Sequence, residues 1–150
     1  MSTIDKVIKD KKLDEVVYFL AERMMRRARE YSKTQFKKEK VDLTIDQWVI
    51  LKRVSEELGI SQVEIAATTY KDPAAVTRIL DILVKKGFVT RVSKPDDRRA
   101  FEIHLTKTGA KLVNKVIPLA QETREKGLEG LSERELKVLN KALKKIHDNF

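Results

Sequence analysis

The sequence predicts a mainly helical chain carrying one small β-hairpin, and three observations predict it. Apolar residues recur at spacings of three and four along most of the 150 residues, the period of a helix with one buried face. Three serines or threonines stand three residues ahead of a Glu or Gln: Thr44 with Gln47, Ser61 with Glu64, Ser132 with Glu135. Each is a capping box, in which hydroxyl and carboxyl or amide satisfy one another's backbone N–H. Past Gly87 the apolar period shortens to two across a Pro-Asp-Asp turn, as in a hairpin.

Residues 1–12 are polar and lysine-rich and read as a lead-in. Leu13, Val16, Val17, Leu20, Met24, Ala28 and Tyr31 then fall on one face, so a long helix is expected from about 13 to 38. Its other face carries Arg23, Arg26, Arg27 and Arg29, read as solvated before it is read as a nucleic-acid contact. After a link at 39–43, Thr44 opens a helix expected to bury Trp48, Leu51, Val54 and Leu58 and to end at Gly59. Trp48 reads as core, with the wall of a ligand pocket as the alternative. Ser61 opens a short helix with Val63, Ile65 and Ala66 inward, which dissolves around 68–71.

Asp72 caps the next helix with Pro73 in its first turn, where the missing N–H costs nothing. Val76, Ile79, Leu80 and Leu83 form its buried stripe and Gly87 ends it. Residues 88–93 alternate as a strand, 94–97 are turn chemistry, and 100–105 return with Phe101, Ile103 and Leu105 on one face. Glu102 and His104 take the other face, His104 as a solvent-side strand residue. Thr106 caps a helix from about 107 to 126, with Leu112, Val116, Leu119 and Ala120 inward and a bend expected at Pro118. A break follows at 127–131. In the last helix Leu136, Leu139, Leu143, Ile146 and Phe150 fall at heptad-like spacing. The two terminal helices thus carry apolar stripes far from the centre, which suit a dimer interface or packing within the chain.

Helix, turn, helix and hairpin over 61–105 are the parts of a winged helix-turn-helix. Each residue turns the second helix by about 100°, which sets Ala74, Arg78, Asp81 and Lys85 opposite the buried stripe with Thr77 on the flank. Small residues let a helix approach base edges closely, and Arg is the commonest specific partner of guanine. This is the expected recognition face. The hairpin tip carries Lys94, Arg98 and Arg99 beside Asp96 and Asp97. An Asp two residues before an Arg is expected to pair with it and hold it extended toward a narrow, electronegative minor groove.

Composition narrows the function classes. With 41% hydrophobic and 37% charged residues the chain is a helix-rich folding sequence, and its net charge of +9 favours a polyanionic partner. The excess is spread out: residues 61–105 hold 8 basic against 6 acidic residues, so charge alone does not mark the reader. There is no cysteine and only two histidines, His104 and His147, which excludes thiolate chemistry and disfavours a metal site. No Gly-rich phosphate loop or Ser/His/Asp set stands out, so neither an enzyme nor a cofactor is expected. No apolar run reaches signal-peptide or membrane-spanning length, and a cytoplasmic protein with no membrane partner is expected. A sequence-specific DNA-binding regulator leads. A non-specific architectural DNA binder of the same fold, or a winged helix that binds protein, are the other readings.

Residues 72–109 resemble the MarR family of transcriptional regulators. The likeness rests on Val76-Thr77-Arg78 before a leucine stripe, Lys86-Gly87-Phe88-Val89 at the start of the hairpin, Asp97-Arg98-Arg99 in the wing, and Leu105-Thr106 leading to Gly109. Upstream, Thr44 to Leu51 resembles the family's T-x-x-Q-aromatic-x-x-L segment. In one departure, Thr69 stands where the family usually has a second leucine after the first motif helix. The resemblance implies a single domain over 1–150, with helices at about 13–38 and 107–150 forming a homodimer and 44–105 binding a pseudo-palindromic double-stranded operator. It implies that Ala74, Ala75, Thr77 and Arg78 meet the major groove, that Ser61 and Gln62 hold phosphate, and that Lys94, Asp97, Arg98 and Arg99 serve the wing, with Arg99 in the minor groove. It also implies a repressor released by a small lipophilic or aromatic effector, with Met24 and Trp48 as candidate pocket walls. Without cysteine, thiol oxidation is ruled out as the switch.

Overall fold

A computed structural model describes residues 11–150, so most of the expected lead-in over 1–12 lies outside the described residues. A single 3-10 turn at Leu13–Glu15 precedes the first α-helix, α1 (Val17–Lys38). The helix expected from residue 13 therefore starts four residues late, after Val16 adopts an extended conformation. Three arginines of its basic face are held by carboxylates: Arg23 with Asp14 at 2.6 Å, Arg26 with Glu30 at 3.4 Å and Arg29 with Asp46 at 3.3 Å.

Thr44 caps α2 (Ile45–Glu56) with both halves of the box formed: its hydroxyl accepts from Gln47 N at 3.1 Å, and its own N–H donates to Gln47 Oε1 at 3.0 Å. Ile50, Leu51 and Val54 are buried and Trp48 nearly so. Leu58 is not, contrary to expectation. The helix stops at Glu56, before the period reaches residue 58, and Leu58 is 97% exposed. The chain then forms a two-residue strand, β1 (Ile60–Ser61), which the sequence pattern did not reveal.

Ser61 caps α3 (Gln62–Thr69), which turns Ile65 and Ala66 into the core. Val63, expected inward, is 78% exposed because it lies on the flank of this two-turn helix, facing a depression shared with Ala67 and Pro73. Thr69, in place of the family's leucine, is half-buried and donates its hydroxyl to the Ile65 carbonyl at 2.5 Å, so the turn buries no unsatisfied oxygen there. Asp72 accepts from Ala75 N and caps α4 (Pro73–Lys85), whose Val76, Leu80 and Leu83 are fully buried. The helix ends in a Schellman closure: Phe88 N donates to Leu83 O and Gly87 N to Val84 O, each at 2.9 Å, with Gly87 at φ +76°.

The hairpin comprises β2 (Val89–Lys94) and β3 (Asp97–Leu105). The second strand thus begins three residues earlier than expected, and the turn shrinks to Pro95 and Asp96. With β1 on its outer side, β3 becomes the middle of an antiparallel sheet in the order β1-β3-β2, with Ile60 opposite Ile103 and Val89 opposite Leu105. Ile103 and Val89 seal the core from this side, whereas Phe101 is 37% exposed.

Thr106 caps α5 (Lys107–Leu128), which carries Pro118 in its interior and persists past Gly127; the break falls at 129–131. Val113 and Val116 complete the core. α5 packs on α1, where Tyr31 Oη donates to Glu122 Oε1 at 3.0 Å and Ser32 Oγ to Thr123 Oγ1 at 3.2 Å. Ser132 caps α6 (Glu133–Asp148) in the third complete capping box. None of its residues is buried. The core lies under the helix-turn-helix and its wing, and the two terminal helices extend from it.

Candidate nucleic-acid interface

Three segments of the expected site converge: the start of α3, the exposed face of α4 and the hairpin. At the start of α3, Ser61 Oγ accepts from Glu64 N at 3.2 Å and Ser61 N donates to Glu64 Oε2 at 2.8 Å. The Ser61 amide is the main reason the Glu64 carboxyl is held below its usual range. This cap makes Gln62 the first helical residue. Its Nε2 donates to Thr77 Oγ1 at 2.6 Å and so ties α3 to the second turn of α4.

On α4, Ala74 and Arg78 are exposed and Ala75 and Thr77 half-buried. Arg78 makes no hydrogen bond or ion pair among the described residues. Asp81, farther along the same face, is held by Arg91 of β2 at 2.6 Å. Arg91 carries no signal in the sequence because its bond is tertiary; two charges ten residues apart on a helix and a strand leave no periodic trace. The pair links the wing to the reading helix.

In the wing, Lys94 pairs with Asp97 across the two-residue turn, and the next cross-strand pair is Ser93 with Phe101. Residues 98–100 therefore have no partner on β2, and Arg98 and Arg99 stand exposed in that bulge. The expected side-chain pairing of Asp97 with Arg99 does not form. Asp97 Oδ1 instead accepts from the Arg99 backbone N–H at 2.9 Å. A short carboxylate reaches the amide two residues on without immobilising a long side chain, so the local Asx bond wins. Asp97 shapes the tip, and the Arg98 and Arg99 guanidinium groups have no partner among the described residues.

Ser61, Gln62 and Val63 share one shallow depression with Arg99, Ala100 and Phe101, and the Lys94 ammonium is close enough to lower Glu64 further. The structure thus joins Ser61, Gln62, Thr77, Lys94 and Arg99 into one surface, with Ala74, Ala75 and Arg78 on the helix behind it. Met24 and Trp48 are not brought together. Met24 is exposed and lines an apolar depression between α1 and α6 with Val17, Leu20, Ala21, Leu139 and Leu143. Trp48 lies under a different one, beside Lys52, Arg53, Thr68 and Thr69. Among the described residues there is no cluster of three or more His, Cys, Asp or Glu that could hold a metal ion, and no helix is long and apolar enough to cross a membrane.

The model of the MarR family matches residues 43–101, the stretch that contains the helix-turn-helix and most of the wing. Among solved structures, a cysteine-to-serine mutant of MarR from E. coli, complexed with operator DNA, is 26% identical, covers 97% of this chain and 99% of its own, and superposes with a TM-score of 0.74. The transcriptional regulator SlyA is 26% identical over 89% of this chain and 92% of its own, with a TM-score of 0.82. BpsR of Bordetella bronchiseptica, whose DNA binding is regulated by 6-hydroxynicotinic acid, is 24% identical over 93% and 98%, with a TM-score of 0.84, and bears on the fold alone. Over residues 43–101 the chain matches the MarR family of transcriptional regulators, and over nearly its whole length it has the fold of MarR and SlyA.

Proposed function

We propose that the protein is a homodimeric, sequence-specific repressor that binds a pseudo-palindromic duplex and is released by a small aromatic or lipophilic effector. One observation carries the reading: three guanidinium groups without a partner among the described residues, Arg78, Arg98 and Arg99, flank a helix face of Ala74, Ala75 and Thr77 whose placement is fixed against α3 by the Gln62–Thr77 bond and against the wing by the Arg91–Asp81 bond. Unpaired guanidinium groups suit guanine edges and narrow minor grooves. Small side chains beside them permit the close approach such contacts need. In this reading α4 enters the major groove, Ser61 and Gln62 at a helix start take a phosphate, Lys94, Arg98 and Arg99 serve the wing with Arg99 in the minor groove, and Asp97 holds the tip. Helices α1, α5 and α6 bring two reading lobes together, residues 1–150 acting as one domain in the cytoplasm. Repression follows from occupancy of the site. In a dimer the Met24 depression would be covered by the partner, which leaves the recess beside Trp48 as the effector's seat.

The test is binding to the chain's own upstream DNA and to a scrambled duplex of equal length across a salt series. The expected result is a preference on the order of a thousandfold for the upstream DNA, with Arg99→Ala losing roughly tenfold or more. Equal affinity for both duplexes with a steep salt slope would identify an architectural binder instead, and no salt-dependent binding at all would point to a protein partner.

A further inference from the structure

A threonine on a reading helix is ordinarily expected to hydrogen-bond a base through its hydroxyl. Here the hydroxyl is already occupied. A threonine O–H has one proton to give, and Thr77 gives it to the Pro73 carbonyl at 3.1 Å. It also accepts from Gln62 Nε2 at 2.6 Å. Turning the Gln62 amide over would present an oxygen in place of the N–H, and the proton would still stay inside the protein. Thr77 is half-buried, with its polar atom drawn toward α3 and the Pro73 carbonyl. It has no proton left for a base, and beside one acceptor lone pair on that inward-drawn oxygen its remaining chemistry is the γ-methyl.

The neighbours are of the same kind. Ala74 and Ala75 add two more methyl groups to the N-terminal half of the face. Asp81, the acidic group that could accept from a cytosine amine, is occupied by Arg91. Arg78 is the one long donor left on that half of the helix.

We propose that the reading helix recognises the 5-methyl group of pyrimidines in the major groove, thymine above all, and that Gln62 is a positioning residue that turns the Thr77 methyl outward. Methyl-to-methyl contact is the one discriminating interaction that Ala and Thr side chains make with an A·T pair without a hydrogen bond. Each half-site then contains a short A·T run beside a single guanine for Arg78. This inference rests on the proposed DNA-binding role and sharpens it.

The experiment first selects preferred duplexes for the wild-type protein from a random pool. Single thymines in the selected half-site are then replaced by deoxyuridine, which deletes only the methyl, and affinities are read by fluorescence anisotropy. Wild type should lose about fourfold at one or two thymines, the worth of one buried methyl. Thr77→Ser keeps the hydroxyl and lacks the methyl; it should bind the thymine duplex about as weakly as wild type binds the deoxyuridine duplex and lose nothing more there. Thr77→Val keeps a methyl and lacks the hydroxyl, and it should retain the discrimination. Gln62→Ala should reduce the thymine preference while Gln62→Glu, whose carboxylate can accept the Thr77 proton in place of the Pro73 carbonyl, should keep most of it. A selected site insensitive to deoxyuridine, or discrimination surviving in Thr77→Ser and lost in Thr77→Val, overturns the proposal while leaving the regulator intact. Failure of the pool to yield any preferred sequence overturns the regulator reading itself, and this inference with it.

Discussion

Two glycines at the junction of the wing and α5 do different physical work. Gly109, in the first turn of α5, lies against the Phe88 backbone: a Cβ there would sit 2.0 Å from the Phe88 carbonyl oxygen. The approach is drawn tight by Thr106, whose N–H donates to that same oxygen at 3.1 Å and whose hydroxyl bonds Gly87 O at 2.6 Å and accepts from Gly109 N at 2.9 Å. Gly87 has open space around its missing Cβ, so a side chain there meets only the cost of a left-handed backbone. Gly109→Ala should therefore cost about 3 kcal/mol, as overpacking against backbone does, and Gly87→Ala only about 1 kcal/mol. On a chain of this size the melting temperatures should fall by about 10 °C and about 3 °C. Equal losses in a thermal melt would show that α5 shifts away from Phe88 at little cost.

A third residue, Asp46, gives the stability a pH dependence. The Lys71 hydrogen bond at 2.5 Å is the largest cause of its depressed carboxyl pKa, with the charges of Lys71 and Arg29 adding to it against a desolvation cost. A group depressed in the folded state stabilises above its ordinary value of 3.8, and that contribution is lost as pH falls through the folded value. The side chain is 46% exposed, so the effect is small and salt-sensitive. Asp46→Asn should be less stable than wild type at neutral pH, and the gap should close as pH falls below the ordinary carboxyl value of 3.8 in denaturant titrations. A gap independent of pH would mean that the asparagine perturbs packing rather than charge.

Among the elements, what the sequence made legible was whatever is settled by neighbours a few residues away. All three capping boxes form because each needs only a hydroxyl and a carboxyl or amide at a spacing of three. The same holds for the Asp72 and Thr106 caps and the Gly87 closure. The errors lie where tertiary packing decides. Periodicity carried the second helix on to Leu58, but the chain must leave α2 at Glu56 to lay Ile60 beside Ile103, and a two-residue strand has no period to read. Val63, expected inward, lies on a helix too short for one apolar face to be defined. The site residues were nameable one at a time, yet the bonds that align them, Gln62 to Thr77 and Arg91 to Asp81, cross between elements and carry no sequence signature. The Asp97 carboxylate shows that even local chemistry offers a choice: a bond to the Arg99 guanidinium is expected, and the Arg99 backbone N–H takes it.

At the scale of the whole molecule the unmet requirement is burial. α1 has 22 residues and buries Phe36 alone, and α6 buries none. Leu139 and Leu143, at 41% and 44% exposure, face Val17, Leu20 and Met24 across an apolar depression that stays open in the single chain. Most helical stability in proteins comes from packing an amphipathic face, and soluble monomers seldom leave so continuous an apolar surface uncovered. The proposed homodimer resolves both, since a two-fold axis lets the same patch on two copies close over itself. It also sets the distance between the two reading helices, so that binding at one half-site holds the second lobe at high effective concentration over the other. The double variant Leu139→Asp, Leu143→Asp should therefore sediment as a monomer where wild type sediments as a dimer. Its core under the wing should stay folded, because neither residue belongs to it, and its affinity for a full palindrome should drop to that for a single half-site, a loss of about a hundredfold or more. If the variant still sediments as a dimer, the interface lies elsewhere on the chain. If it is monomeric yet binds the palindrome as tightly as wild type, each chain reads DNA independently, and the terminal helices serve something other than the spacing of the two reading helices.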